Sequence, residues 1–462
     1  MTNTKRPTKN IEIAYIGGGS RGWAWTFMTD LSLEAELSGT IRLYDIDHKA
    51  SKINERIGND LKNDPKCVSG FTYRSVNSLK QALSGADFVV ISILPGTFDE
   101  MDSDVHTPER HGIYQSVGDT AGPGGMIRAL RTIPMFVEIG EAVKKYAPEA
   151  WVINYTNPMS LCVKTLYETF PQIKAFGCCH EVFNTQELLA AITAEELKLK
   201  KIPRRDIHTN VIGINHFTWF TRASYKDHDI FPIYDKYVKQ NYETGYEFTS
   251  DNWMNSVFGC AHRVKFDLYR RYHYIAAAGD RHLAEFMPGD LYLKDPETVR
   301  KWKFSLTPVS WRKADLEERR ARSERLYTGK EKLPLKATGE EGVKLIKALC
   351  GLGDIVSNVN LPNYALQIAN LEPSAIVETN ALFGFDSLSP IYAGKLPEDI
   401  KALIMPHVRN HRLIYEAVIE KDRKKVYKAF KNDPLINNRL TTKQIKALVD
   451  DMISNTSKYC DL

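Results

Sequence analysis

IEIAYIGGGSRGW, residues 11–23, is the stretch that decides the fold. Residues 11–16 form a short, mostly apolar run that stops at Gly17, the pattern of a parallel strand covered on both faces. Gly17, Gly19 and Gly22 then fit G-x-G-x-x-G, and residues 23–37 continue with helical periodicity. A strand, a tight glycine turn and a helix N-terminus together make a seat for a pyrophosphate: the backbone can approach closely and the helix end favours an anion. By itself the motif is weak, and a glycine turn without ligand is the alternative. Its context strengthens it. Asp45 ends the next strand, 41–44, and lies 28 residues after Gly17. An acid there accepts hydrogen bonds from ribose hydroxyls and disfavours a 2′-phosphate. The cofactor expected is therefore NAD, held by Gly17, Gly19, Gly22 and Asp45.

Working outward, residues 71–76, 86–94, 151–155 and 173–178 read as further strands, and 127–145 as a helix. Strands alternating with helices predict right-handed βαβ units and a doubly wound parallel sheet of Rossmann type. After about residue 200 the pattern changes. Residues 207–214 and 217–225 read as strands around a short break, 375–378 and 381–385 as more strand, and the chain from Pro397 as amphipathic helices. The charge-dense run 302–330 reads as a solvated helix or loop. The expected organisation is an NAD-binding domain, 1–200, and an α+β substrate and metal domain, 201–462, sharing a cleft.

Composition narrows the class. A net charge of +5 over 462 residues, with both signs interspersed, argues against a nucleic-acid binder. No apolar run is long enough to span a bilayer, and the polar first ten residues do not read as a signal peptide. Seven scattered cysteines in a chain this size predict free thiols and a cytoplasmic setting rather than a disulfide framework.

Two segments at carboxyl ends of strands carry chemistry, since open α/β sheets bind ligands there. In NYTNPM, residues 154–159, Asn157 can donate to and accept from a substrate hydroxyl. In GCCHEV, residues 177–182, Cys179 and His180 put a thiol and an imidazole in the crevice. GINHF, residues 213–217, adds His216. Cys179 with His216 can bind a divalent ion and leave positions open for substrate oxygens; a packed cysteine and a structural histidine are the plainer alternative.

The set IGGGSRGW, INYTNPM, GCCHEV and GINHF resembles glycoside hydrolase family 4, the NAD- and metal-dependent glycosidases. The likeness runs over nearly the whole chain and is most specific over residues 11–225. It implies a lactate/malate-dehydrogenase-like fold and a route outside the two-carboxylate scheme of most glycosidases. Under that route hydride leaves sugar C3 for NAD⁺, a base removes the acidified C2 proton, and the glycosidic oxygen departs from C1. Water then adds and the hydride returns, while a bound cation, usually Mn²⁺, holds the 2- and 3-oxygens.

Carried over residue by residue, the resemblance makes Cys179 and His216 the metal ligands, Asn157 a substrate contact and His180 the leaving-group acid. For the C2 base it ranks Asp267 first and Tyr274 second. Asp280 and Arg281, within AAGDRH (277–282), are expected at the substrate. That segment departs from the serine-rich one of neutral-sugar relatives, and Arg281 suits a sugar carboxylate. Asp119, in the glycine-rich loop 118–125, is a further binding candidate, and Arg128 and Arg131 could face the site. CCHEV and GDRHLAEF look most like the α-galacturonidase group. A small uronic-acid oligosaccharide or glycoside is the expected substrate, and a homodimer or homotetramer the expected assembly. α-Glucuronidase and neutral α-galactosidase or α-glucosidase activities are the alternatives within the family. A hydroxy-acid dehydrogenase or a non-catalytic NAD sensor are the alternatives outside it.

Overall fold

The computed structural model describes residues 9–247, 254 and 256–462. The expected first strand is β1, Lys9–Ile16, followed by β2, Leu37–Tyr44, β3, Gly70–Val76, β4, Phe88–Ile91, β5, Trp151–Asn154, and β6, Lys174–Gly177. These six are parallel and lie in the order β6-β5-β4-β1-β2-β3, the dinucleotide-binding arrangement whose strand order reverses beside β1. Every residue of β4, FVVI, is buried, which is why an unbroken apolar run rather than an alternating one marks it.

The second half adds β7, Ile207–Ile214, β8, Phe217–Tyr225, β9, His228–Asp229, β10, Ile275–Ala276, β11, Ile355–Pro362, β12, Ile376–Gly384, and β13, Ser387–Pro390. β7, β8, β9 and β10 form a small antiparallel sheet. β11 lies antiparallel against β6 and carries β12 and β13 outward, so the main sheet has nine strands drawn from both halves of the chain.

Several boundaries differ from the sequence reading, each for a physical reason. The helix expected over 23–37 is Trp23–Ser32, because Leu37 already pairs in β2. The helix expected from 127 begins at Gly122 and runs to Tyr146. Its opening Gly-Pro-Gly-Gly reads as loop, but Pro is tolerated in a first turn. A side chain at Gly125 would collide with Thr120, its Cβ falling 2.3 Å from the Thr120 carbonyl carbon. The two strand fragments at 375–385 are the single strand β12. The charged run contains the helix Val309–Tyr327, which is solvated along much of its length but not all round.

Among the described residues no helix is long and apolar enough to cross a membrane. All seven cysteines are free thiols.

Candidate active site

The glycine loop closes β1 as expected. Gly17 has φ +93°, and a Cβ there would sit 2.0 Å from the Ser92 carbonyl oxygen, so only glycine fits. Gly19 N–H donates to Asp45 Oδ2 at 2.8 Å, which seats the acid at the end of β2 against the loop. Gly22 starts the helix Trp23–Ser32 without a side-chain cap, so its first N–H groups are not taken up by a capping side chain.

His216 sits at the tip of the β7–β8 hairpin, in a two-residue connection between the paired residues Ile214 and Phe217. Its φ is +61°, a region uncommon for a residue with a side chain, yet it is buried. One ligand atom each from Asp119, His216 and His282 lies within 4.8 Å of the others. The Thr120 hydroxyl donates to Asp119 Oδ1 at 2.7 Å, so its lone pair accepts from His216 Nδ1–H at 3.0 Å. That chain fixes the tautomer and leaves the Nε2 lone pair available, the form in which imidazole binds metals. Burial and the neighbouring His282 push the His216 pKa down to about 3, so the ring is neutral at ordinary pH. Burial works against the Asp119 charge, but the fields of His282, His216 and Arg128 hold its carboxyl well below the usual range. An ionised carboxylate beside two imidazoles is a donor set suited to a divalent transition metal.

Asn157 Nδ2 donates to Asp119 Oδ2 at 3.3 Å, and its backbone oxygen accepts from Arg128 Nε at 3.1 Å. Arg131 does not face the site: it donates to Asp104 Oδ1 at 3.0 Å in a fully buried pair. Glu285 holds the loop from below, accepting from Val117 and Gly118 N–H at 2.7 and 2.9 Å; burial raises its pKa to about 8.

His180 lies at the rim. Its ring stacks on Trp23, 5.8 Å between centroids, and its Nδ1 is 3.2 Å from Glu340. Burial opposes its charge, but the Glu340 hydrogen bond and the Glu181 charge raise its pKa to about 9, so it carries a proton at neutral pH. Glu181 was not anticipated. Burial works against its ionisation, yet His282, His216 and His180 lower its pKa to about 2. Its Oε2 accepts from Gly279 N–H at 2.7 Å, while Oε1 faces His282 Nε2 at 3.7 Å.

Cys179 is not part of the three-atom group. Burial and the charges of Glu378 and Glu181 push its thiol well above the ordinary range, and its backbone oxygen accepts from Asn358 Nδ2 at 3.2 Å. Asn215, the residue before His216, donates to Glu378 Oε2 at 3.2 Å, and Asn358 donates to Glu378 Oε1 at 2.6 Å. This polar layer comes from β11 and β12, which the sequence reading left without a role.

Four expected residues are used elsewhere. Asp267 accepts from Tyr242 and Tyr292 hydroxyls and from Arg271 Nε, each at 2.6 Å, and no contact joins it to the cluster. Tyr274 lines an open groove of about 900 Å³ with Arg222, His228, Tyr272 and Glu398, which shares no lining residue with the cluster. Asp280 accepts from Val264 and Lys265 N–H at 3.0 and 3.1 Å, capping the helix Arg263–Tyr272. The Arg281 guanidinium donates to Ser305 O at 3.1 Å, Ser116 O at 2.7 Å and the Thr307 hydroxyl.

Asp267→Asn is therefore expected to act on stability. The loss of a buried carboxylate bound by three donors should cost about 2–4 kcal/mol. Denaturant unfolding measures that loss, and unchanged stability with abolished turnover would return Asp267 to the chemistry.

Several buried polar atoms in this region have no hydrogen-bond partner: Asn157 Oδ1, Asn215 Oδ1, His282 Nδ1, Glu285 Oε2 and Arg312 Nε. Buried polar atoms are ordinarily paired, so a concentration of unpaired ones points to a polar ligand.

The model of the family 4 glycosyl hydrolases matches residues 12–195, and that of their C-terminal domain residues 211–436. An alpha-galacturonidase from Lachnoclostridium phytofermentans is 60% identical over 450 residues, 97% of each chain. Another from Bacillus subtilis is 52% identical, covering 96% of this chain and 97% of that one. Among solved structures, a putative glucosidase from Bacillus subtilis superposes with TM-score 0.91 at 51% identity, over 96% of this chain and 100% of its own. A 6-phospho-alpha-glucosidase from gut microorganisms, in complex with NAD and Mn²⁺, shares the fold: TM-score 0.78 at 19% identity, over 98% and 99% of the two chains.

Proposed function

Because this chain belongs to the family 4 glycosyl hydrolases, we propose that it is an NAD- and Mn²⁺-dependent glycosidase that releases α-linked galacturonic acid from small uronic-acid oligosaccharides or glycosides. The observation that carries the reading is the Asp119–His216–His282 trio, tied through Asn157 just past the carboxyl end of β5 to the sheet whose β1 ends in the dinucleotide loop. The similarity to alpha-galacturonidases narrows the sugar.

The residues fit both groups. A Cβ on Gly17 would collide with Ser92 and one on Gly19 with Ala50 and Asp45, so the tight turn of the loop needs glycine there, and Asp45 stands beside the loop as a ribose acceptor. For the cation, His216 is neutral with its tautomer fixed, Asp119 is ionised, and His282 completes the trio. Cys179, which the resemblance pairs with His216, is proposed as a fourth donor; Asn358 and Glu378 join its backbone to Asn215, the residue before His216. When bound, the nicotinamide accepts hydride from C3 of the sugar and the cation acts as a Lewis acid on the neighbouring oxygens.

The chain's own residues do the rest. Asn157 positions a sugar hydroxyl, with Asp119 orienting its amide. His180, protonated and at the rim, donates a proton to the departing glycosidic oxygen. Glu181 Oε1, ionised and free of hydrogen bonds, takes the proton from C2; this role replaces the one expected of Asp267 or Tyr274.

We further propose the two-part organisation 1–200 and 201–462, a cytoplasmic setting that keeps Cys179 reduced, and a homodimer or homotetramer. The matched spans 12–195 and 211–436 and the seven free thiols support the first two. The assembly rests on the family resemblance.

Turnover of 4-nitrophenyl α-D-galacturonide, α-D-glucuronide, α-D-galactoside and α-D-glucoside, with NAD⁺, Mn²⁺ and a thiol reductant, tests the assignment. Galacturonide is expected to be cleaved best, and the product formed in D₂O to carry deuterium at C2. Product without deuterium at C2 would sink the elimination route. Cleavage of none of the four glycosides would favour the dehydrogenase or sensor alternative.

A further inference from the structure

We propose that Arg312 recognises the carboxylate of the sugar and so sets the preference for uronides over neutral glycosides. The inference deepens the galacturonide reading and rests on it. Arg312 lies in the first turn of the helix Val309–Tyr327, inside the charged run that reads as solvated surface. It is nevertheless half-buried, its Nε is fully enclosed, and no hydrogen-bond acceptor meets that nitrogen. A guanidinium carries five donors and stays charged, so burying it without an acceptor is costly unless a ligand supplies one.

Its neighbours do not provide that acceptor. Asp315, one turn along, is engaged by Arg319 Nε at 2.7 Å. Arg312 lies over the ring of Phe258, 5.5 Å from the centroid, and Arg281 lies over the same ring at 5.3 Å. Two guanidinium groups thus share one aromatic ring, and among the described residues neither forms an ion pair with a carboxylate. Burial first, and then the adjacent Arg312 charge, push the Arg281 pKa down to about 10, against the opposing charges of Glu285 and Glu181.

The two arginines differ in one respect. Arg281 is committed to the Ser305 and Ser116 carbonyls and the Thr307 hydroxyl, so it braces the loops. Arg312 makes no such bonds. Arg281, which shares the Phe258 ring with Arg312, directly precedes His282, so Arg312 stands beside the element that carries part of the Asp119–His216–His282 group; the Asp119 charge acts on it from there. A pyranose whose ring hydroxyls are held at Asp119 and Asn157 carries its C5 substituent at another part of the ring. A carboxylate there meets the guanidinium with two parallel charge-assisted bonds. A hydroxymethyl group leaves the cation desolvated and unpaired, and this is how a site rejects a near-isosteric neutral sugar.

R312Q and R312K, studied with NAD⁺ and Mn²⁺ present, decide the matter. The readouts are kcat and KM on 4-nitrophenyl α-D-galacturonide, calorimetric affinity for D-galacturonate and for D-galactose, and affinity for NAD⁺. R312Q is expected to lose about 100-fold in kcat/KM on the galacturonide, the value of two charge-assisted bonds. It should also lose the advantage of galacturonate over galactose while binding NAD⁺ as wild type does, and R312K should keep part of that advantage. R312Q retaining wild-type galacturonate affinity would overturn the proposal. So would an equal loss of both sugars and NAD⁺, which would mark a structural role. If the wild-type enzyme cleaves no galacturonide, the functional reading fails, and calorimetry still decides whether Arg312 selects the carboxylate.

Discussion

Replacing His216 by alanine is expected to lower Mn²⁺-dependent turnover by about 1000-fold. Lewis-acid stabilisation is worth several kcal/mol, and each 1.4 kcal/mol is tenfold in rate. The expectation follows from how the ring is held. It projects from a two-residue hairpin in a left-handed backbone conformation, and Thr120 fixes its Nδ1 proton. No neighbouring side chain can take over its Nε2 lone pair with the same orientation. Melting should change little, because the hairpin is secured by the β7–β8 ladder rather than by the imidazole. Equilibrium Mn²⁺ binding is the direct readout: H216A should bind the metal far more weakly than wild type. H282A and C179S, measured beside it, apportion the remaining donors. H216A binding Mn²⁺ at wild-type affinity would remove the cation from this cluster.

Glu181→Gln should reduce kcat by about 10²–10⁴-fold, the usual contribution of a positioned proton acceptor. The amide keeps an oxygen to accept from Gly279 N–H, so the local backbone is preserved, but the group that would receive the C2 proton is neutral. Exchange of the C2 proton with solvent should fall in proportion to turnover, while hydride transfer, followed as nicotinamide absorbance in a single turnover, should persist. That split separates a lost base from a misfolded site. E181Q exchanging C2 at the wild-type rate would return the role to another group.

The sheet was legible in the sequence because its central strands β4 and β5 are enclosed on both faces. Val89 to Ile91 and Val152 to Ile153 have no polar side to confuse the pattern. The glycine loop was legible because the clash at Gly17 admits only one residue type. The short local signals in NYTNPM, GCCHEV and GINHF drew attention to Asn157, His180 and His216, and the fold brings the elements carrying them to one end of the sheet. What stayed hidden depends on long-range packing. His282 and Asp280 are two residues apart, yet one faces Asp119 and His216 while the other caps a helix. Asp267 has the residue type of a base but is enclosed by two tyrosines and an arginine from its own neighbourhood. Arg312 is invisible inside an alternating charge run because nothing local says which turn of that helix faces inward. Asn358 and Glu378 sit on strands some 180 residues beyond GCCHEV, and only the pairing of β11 with β6 places them behind Cys179.

That pairing also bears on how the gene could be cut. A polypeptide ending near residue 200 would leave the outer side of β6 as a bare, sticky border, an invitation to self-association. The remainder would keep β12 against β7, through Asn380 Nδ2 donating to the Thr209 carbonyl, but would bare the edge of β11 that pairs with β6. The two pieces are thus obligate companions, to be made together or not at all, even though each has its own recognisable signature.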